Sequence, residues 1–223
     1  MIVELTDASE EQIGGKAWGL KRLIELGLPV PPAVVLPAEE QFDEDDPLIT
    51  GLREPLAVRS SAVGEDAADR SYAGQFETLL GVSRAELPDA VAHVRAGTAR
   101  ADSYGVAGPI AVVIQRQVQT TRAGVAFSRD PVTEADEILV ECALGGGEDI
   151  VGGLVTPDRY WIAGGRVRAR AAGSLRTLRD DEVSSIAELV RAAEAGFGRP
   201  VDVEFCWEAR KLWLVQCRPI TTL

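Results

Sequence analysis

The sequence predicts an α+β protein, and three observations carry that prediction. Short runs of β-branched and apolar residues recur along the chain, from Val30-Pro31-Pro32-Ala33-Val34-Val35 to its last strand-like stretch. Three longer stretches carry instead the three-to-four-residue spacing of a helix with one apolar side. The chain then closes on two period-two runs, 201–207 and 212–219, separated by a short polar gap as in a β-hairpin. With 223 residues there is length for one or two small domains with buried cores.

Residues 1–5 read as a short strand. Thr6, Asp7 and Ser9 offer cap chemistry before Gly14-Gly15-Lys16, and Ala17, Leu20, Leu23, Ile24 and Leu28 form a helical stripe with Gly27 as its stop. Lys16 therefore sits at or just inside a helix start behind two glycines. Backbone N–H groups can approach an anion there, and the helix end favours negative charge. It is not a Walker A loop, because the upstream glycine and the following Ser or Thr are missing. A solvated lysine on a first turn suits the local sequence equally well.

Residues 39–46 are acidic and read as a solvated loop. Leu56-Ala57-Val58-Arg59 is a strand that runs into two hydroxyls, Ser60 and Ser61. The following region, with Gly64, Ser71, Gly74, Gln75 and Thr78, is rich in small and hydroxyl residues. Such loops wrap phosphates with backbone amides, though an exposed loop beside one incidental arginine has the same composition. Residues 85–101 have mixed helical periodicity and hold the one histidine, His93, as a surface residue.

Further strands are read at 109–115, 123–128 and 137–144. They end at Gln115, at Arg129-Asp130-Pro131 and at Gly145-Gly146-Gly147-Glu148. Tyr160-Trp161-Ile162 begins another, which turns at Gly164-Gly165. Residues 180–197 are a helix capped by Asp180 or Asp181, lined by Ile186, Leu189, Val190 and Ala193, and closed by Gly198. There is no internal repeat, low-complexity tract or heptad pattern.

A composition of 46% apolar and 26% charged residues is that of an ordinary globular protein. The net charge of −12 speaks against a general nucleic-acid or membrane surface, both of which need a basic face. It leaves room for a nucleotide held by a few placed cations and a metal. Cys142, Cys206 and Cys217 are odd in number, lie inside apolar runs and lack metal-ligand spacing, as expected of buried cytosolic thiols. No signal peptide leads the sequence and no apolar run is long enough to cross a membrane, so the expected location is cytoplasmic. His93 has no partner that would make a hydrolytic triad, and no Gly-x-Gly-x-x-Gly follows a strand.

The hairpin carries the most chemistry. Asp202 and Glu204 share one face of its first strand, and Gln216 and Arg218 one face of its second. A three-residue turn at Ala209-Arg210-Lys211 sets Glu204 opposite Gln216 and Asp202 opposite Arg218. A half-solvated hairpin with a charged wet face has this pattern. So does a small metal-phosphate site, with carboxylate and amide oxygens on Mg²⁺ and the guanidinium on phosphate.

Seven motifs then occur in one order. They are Gly14-Gly15-Lys16; Val58-Arg59-Ser60-Ser61 with Glu65-Asp66; Ala73-Gly74-Gln75; Gly124-Val125-Ala126-Phe127 with Asp130-Pro131; Gly145 to Glu148; Val155-Thr156-Pro157-Asp158; and Asp202-x-Glu204 with Gln216-x-Arg218-Pro219-Ile220-Thr221. That order resembles the N-terminal ATP-binding domain of the phosphoenolpyruvate synthase, pyruvate phosphate dikinase and rifampin phosphotransferase family, over almost the whole chain. The resemblance implies an ATP-grasp-like fold with nucleotide bound between two α+β subdomains, 1–108 and 109–223.

Carried over by matched motif, Lys16, Arg59 and Arg218 are its catalytic phosphate-holding residues and Glu204 and Gln216 its Mg²⁺ ligands. Asp202 stands beside Arg218, Gln115 lies near the adenine, and Gly74, Gln75 and Glu141 line the pocket. The gap between the Val30-Pro31 strand and Arg59 is shorter and more acidic than the family's, and no swivelling phosphohistidine motif is present. The resemblance thus implies a separate ATP-binding component that uses Mg-ATP to phosphorylate a histidine on a partner protein, with AMP and phosphate as products. A self-contained small kinase or ligase, and a non-catalytic ATP sensor, keep the same clamp residues and stay open.

Overall fold

The computed structural model describes residues 1–62, 78–97, 110–146, 155–170 and 176–220. Gly74 and Gln75 lie outside the described residues. The chain forms two compact units, Met1–Lys21 with Pro31–Gln117, and Arg22–Val30 with Val118–Leu223.

The first unit is an antiparallel sheet of β1 (Val3–Glu4), β2 (Ala33–Leu36), β3 (Leu56–Ala62), β4 (Thr78–Val82) and β5 (Ile110–Arg116), in the order β1-β2-β5-β3-β4. β5 is paired along its length with β3, and from Val112 to Gln115 with β2. The compact units accordingly change over after Gln117, whereas the sequence reading drew a subdomain boundary after residue 108. Val34, Leu36, Leu56, Val58, Val112 and Ile114 turn to one side and pack on Leu87, Val91 and Val94 of α3 (Leu87–Ala96). Arg59, Ser61 and Gln115 alternate with them and belong to the opposite face. His93 is exposed on α3, as expected.

Two elements here were not foreseen. The one-turn helix α2 (Pro47–Thr50) follows the acidic loop, with proline in its first turn and the Asp46 carboxylate accepting from Leu48 N at 2.9 Å. β4 begins where the hydroxyl-rich region ends, and its exposed pattern gave little period-two signal.

The second unit is a six-stranded antiparallel sheet. It comprises β6 (Arg122–Phe127), β7 (Ile138–Leu144), β8 (Asp158–Ala163), β9 (Arg166–Arg170), β10 (Val201–Glu208) and β11 (Lys211–Pro219), in the order β11-β10-β6-β7-β8-β9. The predicted second-half helix is α4 (Asp180–Phe197), and Val183, Ile186, Val190 and Ala193 pack it on Val140, Tyr160, Val203 and Phe205. Its start is fastened by a shielded ion pair: Arg122 donates from both terminal nitrogens to Glu182, at 2.9 and 2.8 Å, and to Thr177 O at 3.0 Å. Asp158, 3% exposed, accepts from Tyr160 Oη at 3.1 Å and from Thr177 N and Oγ1 at 2.6 and 2.7 Å.

Close strand packing fixes Gly124 in β6. A Cβ there would lie 2.0 Å from Glu141 O and 2.6 Å from Phe205 Cζ, so no larger residue fits without moving backbone. All three cysteines are buried and reduced, and burial pushes the Cys142 thiol up to about 12.

Candidate functional site

The closing hairpin has the cross-strand pairs expected of it, reached by a different route. Its turn is two residues long, Ala209-Arg210, closed by Glu208 opposite Lys211, and Ala209 takes a φ of 54°. A register shift follows between Glu204 and Phe205. Phe205 pairs with Leu214 and Glu204 with Gln216, which leaves Val215 as one extra residue in β11. A two-residue turn plus one bulge gives the same downstream register as the three-residue turn read from the sequence. Glu204 therefore stands opposite Gln216, and Asp202 opposite Arg218.

These four side chains share the face turned away from α4, whose core takes Val203, Phe205, Leu214 and Cys217. Asp202 and Gln216 are buried, while Glu204 and Arg218 are half-buried. Arg218 Nε donates to Asp202 Oδ2 at 2.8 Å, a charge-assisted bond that orients the guanidinium along the strand pair.

The same face continues inward. Glu204 pairs with Val125, Val125 with Glu141, and Glu141 with Arg159, so one register row crosses five strands from Gln216 to Arg159. Arg159 Nε lies 2.7 Å from Glu141 Oε1. Sequence reading assigned Arg159 nothing, because its partner is on another strand and no local pattern marks it.

The chemistry open to this face is that of a metal and a phosphate. Glu204 and Gln216 offer one carboxylate and one amide oxygen as neighbours. Mg²⁺ prefers six oxygens and takes most of them from water and substrate phosphates, so such a pair fits it. Among the described residues there is no cluster of three or more His, Cys, Asp or Glu that could hold a metal. The loop after β6 is fixed by Asp130, which accepts from Val132 N at 2.9 Å, Thr133 N at 3.1 Å and Trp161 Nε1 at 3.2 Å. Burial alone would raise its carboxyl, but those donors outweigh burial and hold it below the ordinary carboxylate range.

In the first unit, helix α1 (Glu10–Glu25) is broken at Gly14, whose φ of 68° and ψ of 176° are not helical. A Cβ on Gly14 would lie 2.5 Å from Ser61 O, and Ala17 N donates to Ser61 Oγ at 3.0 Å. The helix thus restarts at Gly15 against the end of β3, and half-buried Lys16 stands in its first turn, as the paired glycines suggested. Arg59 is half-buried on β3, between Val113 and Thr78 in register. Gln115 lies on the same face, 1% exposed, opposite Ala33 and Ala57, and its buried Nε2 has no hydrogen-bond partner.

The structure thus groups the sequence candidates by unit: Lys16, Arg59 and Gln115 in the first, Glu141, Asp202, Glu204, Gln216 and Arg218 in the second.

The profile of the pyruvate phosphate dikinase, AMP/ATP-binding domain family matches residues 40–174 and 164–223. The chain is 31% identical over 297 residues to the prodigiosin synthesizing transferase PigC of Serratia marcescens, covering 100% of this chain and 33% of that protein. It is 35% identical over 210 residues to a rifampicin phosphotransferase of a Streptomyces species, with 78% of this chain and 24% of that protein covered. A probable phosphoenolpyruvate synthase of Methanothermobacter thermautotrophicus is 34% identical over 205 residues, covering 75% and 30%. The chain spans about a quarter to a third of the length of these curated relatives.

Among solved structures, D-alanine–D-alanine ligase from Bacillus anthracis complexed with ATP superposes with a TM-score of 0.56 at 12% identity, over 92% of this chain and 54% of that one. The ADP complex of purK, N5-carboxyaminoimidazole ribonucleotide synthetase, gives 0.56 at 12% identity, over 93% and 45%. At such identities the likeness is one of fold, and the fold is ATP-grasp-like.

Proposed function

Since the chain belongs to the pyruvate phosphate dikinase AMP/ATP-binding domain family, we propose that it is the Mg-ATP-using part of a dikinase-type phosphotransferase. The observation that carries this reading is the polar row on the second sheet, where Glu204 meets Gln216 and Arg218 is oriented by Asp202. Lys16, Arg59 and Arg218 hold phosphate oxygens, Gln115 stands near the adenine, and Gly74, Gln75 and Glu141 line the nucleotide pocket. Glu204 and Gln216 hold Mg²⁺. The ion supplies charge neutralisation of the phosphates when bound; phosphoryl transfer needs little covalent help, so positioning and charge stabilisation are the protein's main contributions.

The acceptor in this reading is a histidine on a partner protein or domain, and the products are AMP and phosphate. The relatives' greater length supports the involvement of further domains, and the exposed His93 on α3 matches none of the family's motifs. The test is product analysis with Mg-ATP and a purified phosphohistidine domain of the phosphoenolpyruvate synthase type. AMP and phosphate formed only when that domain is present support the reading. ADP formed with a small-molecule acceptor contradicts it. No helix among the described residues is long and apolar enough to cross a membrane.

A further inference from the structure

Arg129 follows β6 and has no role in the assignments above. Ser128 fixes its place. Ser128 N donates to Val201 O at 2.9 Å, Val201 N donates to Ser128 Oγ at 2.9 Å, and Ser128 Oγ donates to Glu194 Oε1 at 3.0 Å. Arg129 therefore stands one residue past the last rung between β6 and β10, at the end of the sheet where Asp202 pairs with Arg218.

Its surroundings are unlike those of two other arginines in this unit. Arg122 sits on Glu182 and Arg218 on Asp202. Arg129 is half-buried, its Nε is buried with no hydrogen-bond partner, and among the described residues it makes no ion pair. The adjacent carboxylate, Asp130, is taken up by two backbone N–H groups and an indole. A buried N–H donor without an acceptor is costly, and the planar N–H donors of a guanidinium suit phosphate oxygens.

We infer that Arg129 is an anion-binding residue that takes a phosphate group of the bound nucleotide at the same sheet end as Arg218. The inference rests on the Mg-ATP reading for the identity of the ligand, but its chemistry requires only a polyphosphate.

The test is calorimetric titration of the wild type, Arg129→Gln and Arg129→Lys with three probes: Mg-ATP, inorganic tripolyphosphate and adenosine. Arg129→Gln is expected to weaken both phosphate-bearing probes by about tenfold or more, with adenosine unchanged and Arg129→Lys recovering part of the loss. Thermal melts accompany each titration. If Arg129→Gln does not fold, Arg129→Lys is compared with the wild type alone and must still show a selective loss of tripolyphosphate. Affinities unchanged in both variants overturn the inference, as does an equal loss for adenosine, which a merely structural role would give. A wild type that binds tripolyphosphate but not Mg-ATP contradicts the nucleotide reading alone, and Arg129 stands if its variants lose tripolyphosphate. A wild type that binds neither overturns both.

Discussion

Glu204 pairs with Gln216 across the closing hairpin because β11 holds one residue more than β10 needs, Val215, just before the pair. The two-residue turn alone would put Val215 opposite Glu204 and send Gln216 to the other face. A single bulge therefore decides whether an amide oxygen stands beside the carboxylate.

The turn itself carries strain that the site does not need. Ala209 holds a φ of 54°, in a region where a Cβ is unfavourable. Ala209→Gly should stabilise the protein by about 0.5–1 kcal/mol in urea denaturation and leave Mg-ATP affinity unchanged. A change in affinity would mean that the turn, and not the bulge, sets the register.

Removing the partner of Arg218 should show in binding more than in stability. Asp202→Ala takes away the acceptor 2.8 Å from Arg218 Nε, while the Arg218 side chain, 38% exposed, keeps contact with water. The expected stability loss is about 1 kcal/mol. Mg-ATP affinity by calorimetry should fall by about tenfold. Unchanged affinity would remove Asp202 from the account.

Gly124 tests whether the glycine of the Gly124-Val125-Ala126-Phe127 motif is structural. Its missing Cβ leaves room for Glu141 O and the Phe205 ring. Gly124→Ala should cost about 3 kcal/mol by chemical denaturation, because backbone on one side and a packed ring on the other must move. A loss below about 1 kcal/mol would contradict the strand packing described.

Acid stability should depend on Glu182. The Arg122 guanidinium, helped by the Arg179 backbone N–H, holds its carboxyl below the ordinary range. A folded value below the unfolded one, about 4.3, means stability that is present above that pH and lost as pH falls through the folded value. Urea denaturation from pH 7 to pH 3 should show a steady decline below about pH 5 in the wild type. In Glu182→Gln the decline should be shallower and should start from lower stability at pH 7. Parallel acid limbs would show that the pair does not govern this behaviour.

What the sequence made legible follows from how local each signal is. Helix α4 has the bounds its sequence predicts because its apolar stripe and its closing Gly198 are contiguous, although its N-cap is Arg179 and not Asp180 or Asp181. Lys16 was placed at a helix start by two glycines beside it, and Gly14 is where the helix breaks. The hairpin pairs came out correctly although the turn did not, since the missing turn residue and the unseen bulge cancel in register. Partners distant in sequence were not legible. Arg159 on Glu141, Arg122 on Glu182 and Asp158 on Thr177 depend on which strands become neighbours, and nothing within a few residues of any of them records that. That Arg129 Nε is buried without a hydrogen-bond partner among the described residues is likewise a property of the folded chain.

The central claim is that the Glu204–Gln216 face holds Mg²⁺ with ATP, and thermal melting with and without about 1 mM Mg-ATP tests it most directly, because a ligand that binds the folded state must stabilise it. The account predicts a clear rise in Tm for the wild type and for Glu39→Ala in the acidic loop, and a rise largely abolished in Glu204→Ala. An unchanged wild-type Tm, or equal shifts in Glu204→Ala and Glu39→Ala, would contradict it.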